Sequence, residues 1–441
     1  MLLKHAVVIG GGIAGLLHAR VLADHAEQVT VIDRDQMPEQ PEARAGVPQG
    51  AHIHYLMVRG LQLLDEWFPG LHDEIDQRSG APRVQIGIQT RYMLYQTWQP
   101  SIDTGMHTYV LERPHLEDMV RRRLLTHDNV RLMDRTEAVD LVFEGEAVSG
   151  VVTRKRPSGG EPETILADLV VEASGRSSKA MNWLEKASYV RPQTHIIDAN
   201  LGYATRWYAK PETVNLDWPI LYVLTSPPAQ TRGGAILEHR GGRWLVTVAG
   251  TNGDYPPTDQ AGFLDFARSL PDPVIYESIR DAKPLTDIVS FRNTANRWHA
   301  YEKLDRVPQR LYITGDAACE VNPVYGQGMT KAALNARVLQ QQLAAGLVDN
   351  RAFFREIASV NDNFWQAAAG GDLNYPGTTN NQTETPIQRV MRAYLTAVLR
   401  GTVRDERVAY AFHRVLNMID PSTTLMTPGM LMRVLWAQRT S

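Results

Sequence analysis

Short apolar runs that end in small-residue turns set the plan of this chain. His5-Ala6-Val7-Val8-Ile9 is continuously apolar after its first residue and predicts a strand buried on both faces. It passes directly into Gly10-Gly11-Gly12-Ile13-Ala14-Gly15. Leu16 to Ala23 then has helical spacing, and Val29-Thr30-Val31-Ile32 predicts a second strand ending at Asp33. Two later runs repeat the strand-then-turn pattern. Leu169-Val170-Val171 leads into Glu172-Ala173-Ser174-Gly175-Arg176, and Arg310-Leu311-Tyr312-Ile313-Thr314 leads into Gly315-Asp316-Ala317-Ala318. The last continues through Asn322-Pro323-Val324-Tyr325-Gly326-Gln327-Gly328-Met329 into an Ala/Leu-rich helix predicted from Thr330 to about Ala345.

Between these runs the texture changes. Residues 81–106 and 196–252 alternate apolar and polar positions, as in Tyr203-Ala204-Thr205-Arg206-Trp207-Tyr208, which predicts half-buried antiparallel strands. Beyond Ala345, residues 351–369, 386–417 and 428–438 carry helical spacing, with Gly370-Gly371 and Pro376-Gly377 as predicted breaks. The expected architecture is α/β. A discontinuous nucleotide-binding domain (residues 1–80, 107–185 and 285–345) carries an inserted mixed or antiparallel sheet (81–106 and 186–284), and a helical region (346–441) follows.

The first 35 residues form the βαβ dinucleotide-binding fingerprint in its strand–turn–helix–strand context. Gly10 permits the tight turn, Gly12 lets backbone approach a pyrophosphate, and Gly15 lets the helix pack close to the strand. The helix start offers unpaired N–H groups and a positive dipole end to the diphosphate. Asp33 ends the second strand, where a carboxylate can accept ribose hydroxyls. A strand ending in Gly315-Asp316 can likewise place a carboxylate beside a polyol, and the helix after Gly328 can aim its N-terminus at a ring carbonyl.

Composition narrows the function classes. The 441 residues are 43% hydrophobic and 22% charged, enough for a large core. A formal net charge of −3 gives no electrostatic case for nucleic acid or an anionic membrane. The single cysteine excludes an intrachain disulfide and, with no signal-peptide cleavage pattern, favours a cytoplasmic setting. No run of 18 apolar residues predicts a membrane span.

The ordered triple of Gly10/Gly12/Gly15, Ser174-Gly175-Arg176 and Gly315-Asp316 resembles the three signatures of FAD-dependent monooxygenases with the aromatic-hydroxylase (para-hydroxybenzoate hydroxylase-like) fold. The likeness spans roughly residues 5 to 345. Within that group, Arg44-Ala45-Gly46-Val47-Pro48-Gln49-Gly50-Ala51-His52-Ile53-His54, Asn322-Pro323-Val324-Tyr325-Gly326 and Asn374-Tyr375-Pro376-Gly377 look like the flavin-dependent epoxidases of polyether biosynthesis. The resemblance implies a Rossmann-like FAD-binding domain and a substrate domain. It implies transfer of one oxygen atom from O2, through a flavin C4a-hydroperoxide, to an apolar, electron-rich small molecule. Alkene epoxidation in secondary metabolism is the leading expectation. Aromatic hydroxylation, a prenyl-chain reductase and a non-catalytic flavin-binding subunit are the alternatives. A halogenase Trp-x-Trp-x-Ile-Pro segment is absent.

By the same resemblance the cofactor contacts are Gly10, Gly12, Ile13, Ala14, Gly15, Asp33, Arg34, Arg44, Gln49, Arg113, Ser174, Gly175, Gly315, Asp316, Pro323, Gly326, Gly328 and Met329. Arg44 and Gln49 are expected to face the flavin or its ribityl chain. The hydroxylases usually carry Asp-Gly where Ser174-Gly175 stands, which leaves two sources of reducing equivalents: NAD(P)H directly, or a separate flavin reductase. Alkene epoxidation needs no protein nucleophile, and no catalytic side chain is nominated. Trp207, Tyr222, Trp244 and Phe291 are the expected substrate-pocket residues, and the Met-rich end (Met426 to Met432) offers a cap for that pocket or ordinary packing. His52 and His54 are read as packed near the cofactor, with no metal expected. Arg121-Arg122-Arg123 reads as a solvated face and Cys319 as a packing residue.

Overall fold

Five parallel strands form the base of the structure, in the order Leu311–Ile313, Leu169–Glu172, Leu3–Ile9, Ala26–Ile32 and Val130–Met133. The computed structural model describes residues 3–439 apart from 158, 159, 213, 215 and 348. The strands read as continuous apolar runs because helices cover the sheet. Ala6, Val7 and Val8 have no exposed surface. The helix Ile13–Ala23 packs against the later helix Gly328–Ala344, so the two helices that begin at glycine turns lie side by side. A three-stranded antiparallel sheet (Thr136–Glu144, Ala147–Lys155, Glu163–Leu166) flanks this body.

The alternating stretches build a seven-stranded mixed sheet in the order Val289–Phe291, Gly202–Ala209, Arg243–Gly250, Arg232–His239, Ile220–Val223, Thr90–Leu94 and Thr97–Trp98. Its pairs are antiparallel except Ile220–Val223 beside Thr90–Leu94. One face buries Trp244, Val246 and Val248 against Phe263, Phe266 and Ile275 of the helices Gln260–Arg268 and Val274–Ile279. The opposite face meets the loop that follows the second strand: the His52 imidazole Nδ1 lies 2.7 Å from Thr205 Oγ1.

Two features depart from the predicted elements. A small antiparallel sheet joins Cys319–Glu320, Asn296–His299, Thr194–Asp198 and Thr379–Asn380, strands too short and too far apart in sequence to announce themselves. The helix Asn350–Asp372 runs through Gly370-Gly371 instead of breaking there. Glycine costs a helix about 1 kcal/mol per residue, but a Cβ on Gly371 would lie 2.5 Å from the Tyr325 hydroxyl, so packing selects it. Residues 386–417 divide at Gly401 into Pro386–Gly401, which Thr385 and Gln388 start with a capping box, and Glu406–Leu416, which Asp405 caps. With Pro428–Ala437 they share a small core of Val398, Val408, Leu425 and Val434. Among the described residues no helix is long and apolar enough to cross a membrane.

Candidate functional site

A cavity of about 510 Å³ opens beyond the carboxyl ends of the parallel strands, where ligands bind in open α/β sheets. The glycine loop contributes Gly10, Gly12, Ile13 and Ala14. The second strand and the loop after it contribute Asp33, Arg34, Arg44 and Gln49, with Arg113 beyond them. Ser174, Gly175, Gly315, Asp316, Pro323, Gly326, Gly328 and Met329 complete the wall. Gly15 alone of the expected set lies behind it. A Cβ there would sit 1.8 Å from the Gly10 carbonyl oxygen, so its part is helix-to-loop packing.

Two helices begin on this cavity without a side-chain cap: Ile13–Ala23 after Gly12, and Gly328–Ala344 after Gln327. Uncapped first-turn N–H groups and a positive helix end suit a diphosphate or an electron-rich ring carbonyl. At Gly12 a Cβ would meet only the Arg44 guanidinium, 3.8 Å away, and at Gly328 nothing within 4 Å. Bare backbone therefore faces open space at both helix starts. The Arg113 Nε is buried with no hydrogen-bond partner in the protein. These are the features that a bound dinucleotide would complete.

Residues 4–252 match the family described as FAD binding domain. The chain belongs to that family. It is an FAD-dependent monooxygenase with the aromatic-hydroxylase-like fold. Protein Rv3254 of Mycobacterium tuberculosis is 34% identical over 441 residues, covering 94% of this chain and 90% of that one. Kynurenine 3-monooxygenase of Salinispora tropica is 27% identical over 379 residues, covering 78% and 73%. Among solved structures, the flavin-dependent brominase Bmp2 superposes with a TM-score of 0.69 at 16% identity, over 99% of this chain and all of that one, a likeness of fold.

In this flavoprotein Asp33 already has partners. Its Oδ2 accepts from the Gly11 N–H at 2.7 Å and its Oδ1 from the Asp35 N–H at 2.8 Å. Arg44 Nη1 lies 3.2 Å from Asp33 and 3.0 Å from Asp35, and Arg44 Nε donates to Glu117 at 2.8 Å. Burial alone would lower the guanidinium pKa. The carboxylates of Glu117, Asp33 and Asp35 together outweigh that and raise it. Arg44 thus stands over Gly12 beside Asp33, in the wall of the cavity. Its charge is drawn by three acids, Asp33 and Asp35 at the start of its own loop and Glu117 from the helix Arg113–Leu124.

His54 lines the cavity, and His52 sits just behind it against Tyr203, with ring centroids 4.8 Å apart. Burial lowers the His52 pKa to about 4. Burial and the Arg113 charge lower that of His54 to about 3. The His54 Nδ1 is 2.9 Å from the His52 carbonyl oxygen. A carbonyl only accepts, so His54 Nδ1 carries the proton and its Nε2 lone pair faces Arg113 Nη1 at 3.4 Å. Among the described residues no group of three His, Cys, Asp or Glu could hold a metal.

The remaining expectations divide. Phe291 lines the cavity beneath the Arg176 guanidinium, which lies 5.6 Å from the ring centre. Tyr222 is on the same sheet face as Phe291 but outside the cavity wall, stacked on Tyr92 at 5.2 Å. Trp244 is fully buried on the other face, against the covering helices, and cannot line this pocket. Trp207 packs against His239 and Arg243, outside the cavity wall. Period-two alternation separates two faces without saying which of them meets the site. Met430 packs in the C-terminal core and Met432 is exposed, so the Met-rich end does not cap this cavity. The arginine run is likewise not a solvated face. Arg121 is buried on Asp118 at 2.6 Å, and Arg123 holds Glu74 and the carbonyls of Pro69 and Gly70; only Arg122 is half exposed.

Sequence reasoning passed over Lys331 and Glu172. Lys331 is fully buried and donates to Asp316 at 3.1 Å and to the Cys319 carbonyl. A lysine in the first turn of an Ala/Leu-rich helix, whose only other charge is Arg337, was the available signal. Cys319 itself is buried, and burial pushes its thiol up to about 12, so it is no thiolate. Glu172 is fully buried and accepts from the Ser174 hydroxyl. Burial raises its carboxyl from 4.5 to about 7. The folded state therefore favours the proton. Glu172 favours folding fully below about pH 4.5, and this contribution is lost as pH rises through about 7. The loss is on the order of 3 kcal/mol. Glu172→Gln should flatten that slope in urea titrations at pH 5 and pH 8. Equal slopes in both proteins would mean that Glu172 is ionised throughout.

Proposed function

We propose that the substrate is an apolar, electron-rich small molecule held between the cavity-side face of the seven-stranded sheet and the flavin, and that the favoured reaction is alkene epoxidation. When bound and reduced, FAD supplies activation of dioxygen for transfer of one oxygen atom. The chain's part is to hold the cofactor, exclude water and orient the substrate. In this reading the N–H groups at Gly12, Ile13 and Ala14 take the diphosphate, Asp33 the adenosine ribose, and Asp316 the ribityl chain. The helix start at Gly328 and Met329 takes the pyrimidine end of the ring.

One observation carries the choice of reaction. The imidazoles beside the cavity, His52 and His54, are held neutral with strongly lowered pKa values, His54 with its lone pair against Arg113. Neither is a base strong enough to take a phenol proton near neutral pH. Transfer of oxygen to an alkene needs no such base. Aromatic hydroxylation is the second reading, favoured by the names of two relatives, kynurenine 3-monooxygenase and the ubiquinone hydroxylase UbiL of Rhodospirillum rubrum.

The test is a single turnover of pre-reduced enzyme with labelled dioxygen and paired alkene and phenol substrates. An epoxide carrying one labelled oxygen is expected. A labelled catechol with no epoxide would replace this reading by hydroxylation, and hydrogen peroxide alone would remove oxygen transfer. The reducing equivalents come from NAD(P)H directly or through a separate flavin reductase. Bleaching of the bound flavin by NADH or NADPH without oxygen separates the two routes.

A further inference from the structure

We propose that Asp372, the last residue of the helix Asn350–Asp372, is a positioning carboxylate that clamps the Asn322–Gly326 turn against the cavity. Its side chain is 1% exposed, and among the described residues no Lys, Arg or His forms an ion pair with it. Three neutral donors converge on it. Asn296 Nδ2 donates to Oδ2 at 2.7 Å, Asn322 Nδ2 to Oδ2 at 3.0 Å, and the Tyr325 hydroxyl to Oδ1 at 2.9 Å.

Two of those donors belong to the turn itself. Asn322 is committed at every polar atom. Its own N–H donates to Asn296 Oδ1 at 2.7 Å, its Oδ1 accepts from the Val324 N–H at 3.2 Å, and its Nδ2 reaches Asp372. Asp372 therefore sets where Pro323 and Gly326, both in the cavity wall, are held. Gly326 adopts φ +67 with Tyr55 packed against it, and the helix at Gly328 starts two residues on.

Gly371 carries an independent sign of the same contact. A Cβ there would meet the Tyr325 hydroxyl at 2.5 Å, so the helix gives up a side chain to let Tyr325 reach the carboxylate next door. A buried, unpaired carboxylate is costly to keep. A merely structural link between these segments would be served by apolar packing. Here the carboxylate instead gathers donors from the turn that borders the proposed flavin-ring wall.

The inference rests on assigning Asn322–Met329 to the ring end of the flavin, which Gly328→Val tests separately. Asp372→Ala should weaken FAD binding at least tenfold and shift the reduction potential of the flavin that remains bound. Asp372→Asn keeps the shape: its oxygen can accept from both asparagines and its amide can donate to the Tyr325 hydroxyl. It should hold FAD within threefold of the parent protein, with the potential moved by loss of the charge. Tyr325→Phe, with one donor removed, should fall between the two. FAD affinity and potential at parental values in Asp372→Ala would overturn the proposal. So would a lowered apoprotein melting temperature with normal FAD binding by the folded fraction. If Asp372→Ala does not fold, Tyr325→Phe decides, and unchanged affinity and potential in that variant overturn the proposal. Loss of FAD in Gly328→Val with none in Asp372→Ala would remove Asp372 alone and leave the ring-end assignment intact.

Discussion

Gly328→Val is expected to lose FAD while keeping its fold. Gly328 is the first residue of its helix and does not have positive φ, so an L-residue fits the backbone. Nothing in the protein lies within 4 Å of an added Cβ. Relative to alanine, valine costs a helix about 0.7 kcal/mol and glycine about 1, so the exchange does not weaken the helix. The apoprotein should therefore melt within a few degrees of the parent. The cofactor has no such latitude if the ring lies against this helix start, because two methyl groups would stand where the backbone meets it. A penalty of about 3 kcal/mol corresponds to roughly a hundredfold loss of affinity. Flavin fluorescence titration reads the affinity, and thermal melting of the apoprotein serves as the control. Parental affinity would remove the Asn322–Met329 segment from the ring site.

Gly15→Ala should do the reverse and damage the fold before any ligand is added. The new Cβ would lie 1.8 Å from the Gly10 carbonyl oxygen. That oxygen has nowhere to go. Gly10 adopts φ +106, its N–H is bonded to the Ile32 carbonyl at 2.8 Å, and the Ala173–Ser174 backbone fills the place a Cβ on Gly10 would take. The helix would have to lift off the central strand and uncover Leu16, Leu17 and Val8, all nearly without exposed surface. Ordinary overpacking costs about 1–3 kcal/mol. A clash with pinned backbone exceeds that and should reach about 4 kcal/mol or more, the exceptional range for a single substitution. Urea unfolding of the apoprotein measures it. A midpoint equal to the parent's would mean that the helix is free to shift.

The amino-acid sequence announces both glycines. The loop from Gly10 to Gly15 was legible because its strand, turn and helix are contiguous, and local geometry dictates each glycine. Asp33 and Gly315-Asp316 were legible for the same reason: each is the last position of a short apolar run. What was not legible depends on partners distant in the chain. Arg44 turns toward Asp33 and Asp35 because Glu117, 73 residues on, completes the acidic group. Trp244 faces the covering helices because those helices take that side of the sheet, a choice that period-two alternation leaves open. Gly370-Gly371 reads as a helix break until Tyr325, distant in sequence, is seen to occupy the space of the side chain that Gly371 lacks. Asp372 was overlooked because a carboxylate at a helix end ordinarily meets solvent.

The strand order also constrains how the protein is made. Leu3–Ile9 sits in the middle of the parallel sheet, between Ala26–Ile32 and Leu169–Glu172, and the edge beyond Leu169–Glu172 is closed only by Leu311–Ile313. A nascent chain emerging N-terminus first therefore displays its apolar first strand long before both neighbours exist. At about 5–20 residues per second, its second neighbour is complete at residue 172 only after roughly 10–35 seconds, and the edge strand ending at residue 313 follows after roughly 15–60 seconds. During that interval the unpaired strand edges are open to pairing with other chains. Recovery of soluble protein should thus depend on slow synthesis, low temperature or chaperone supply more than on the stability of the finished fold.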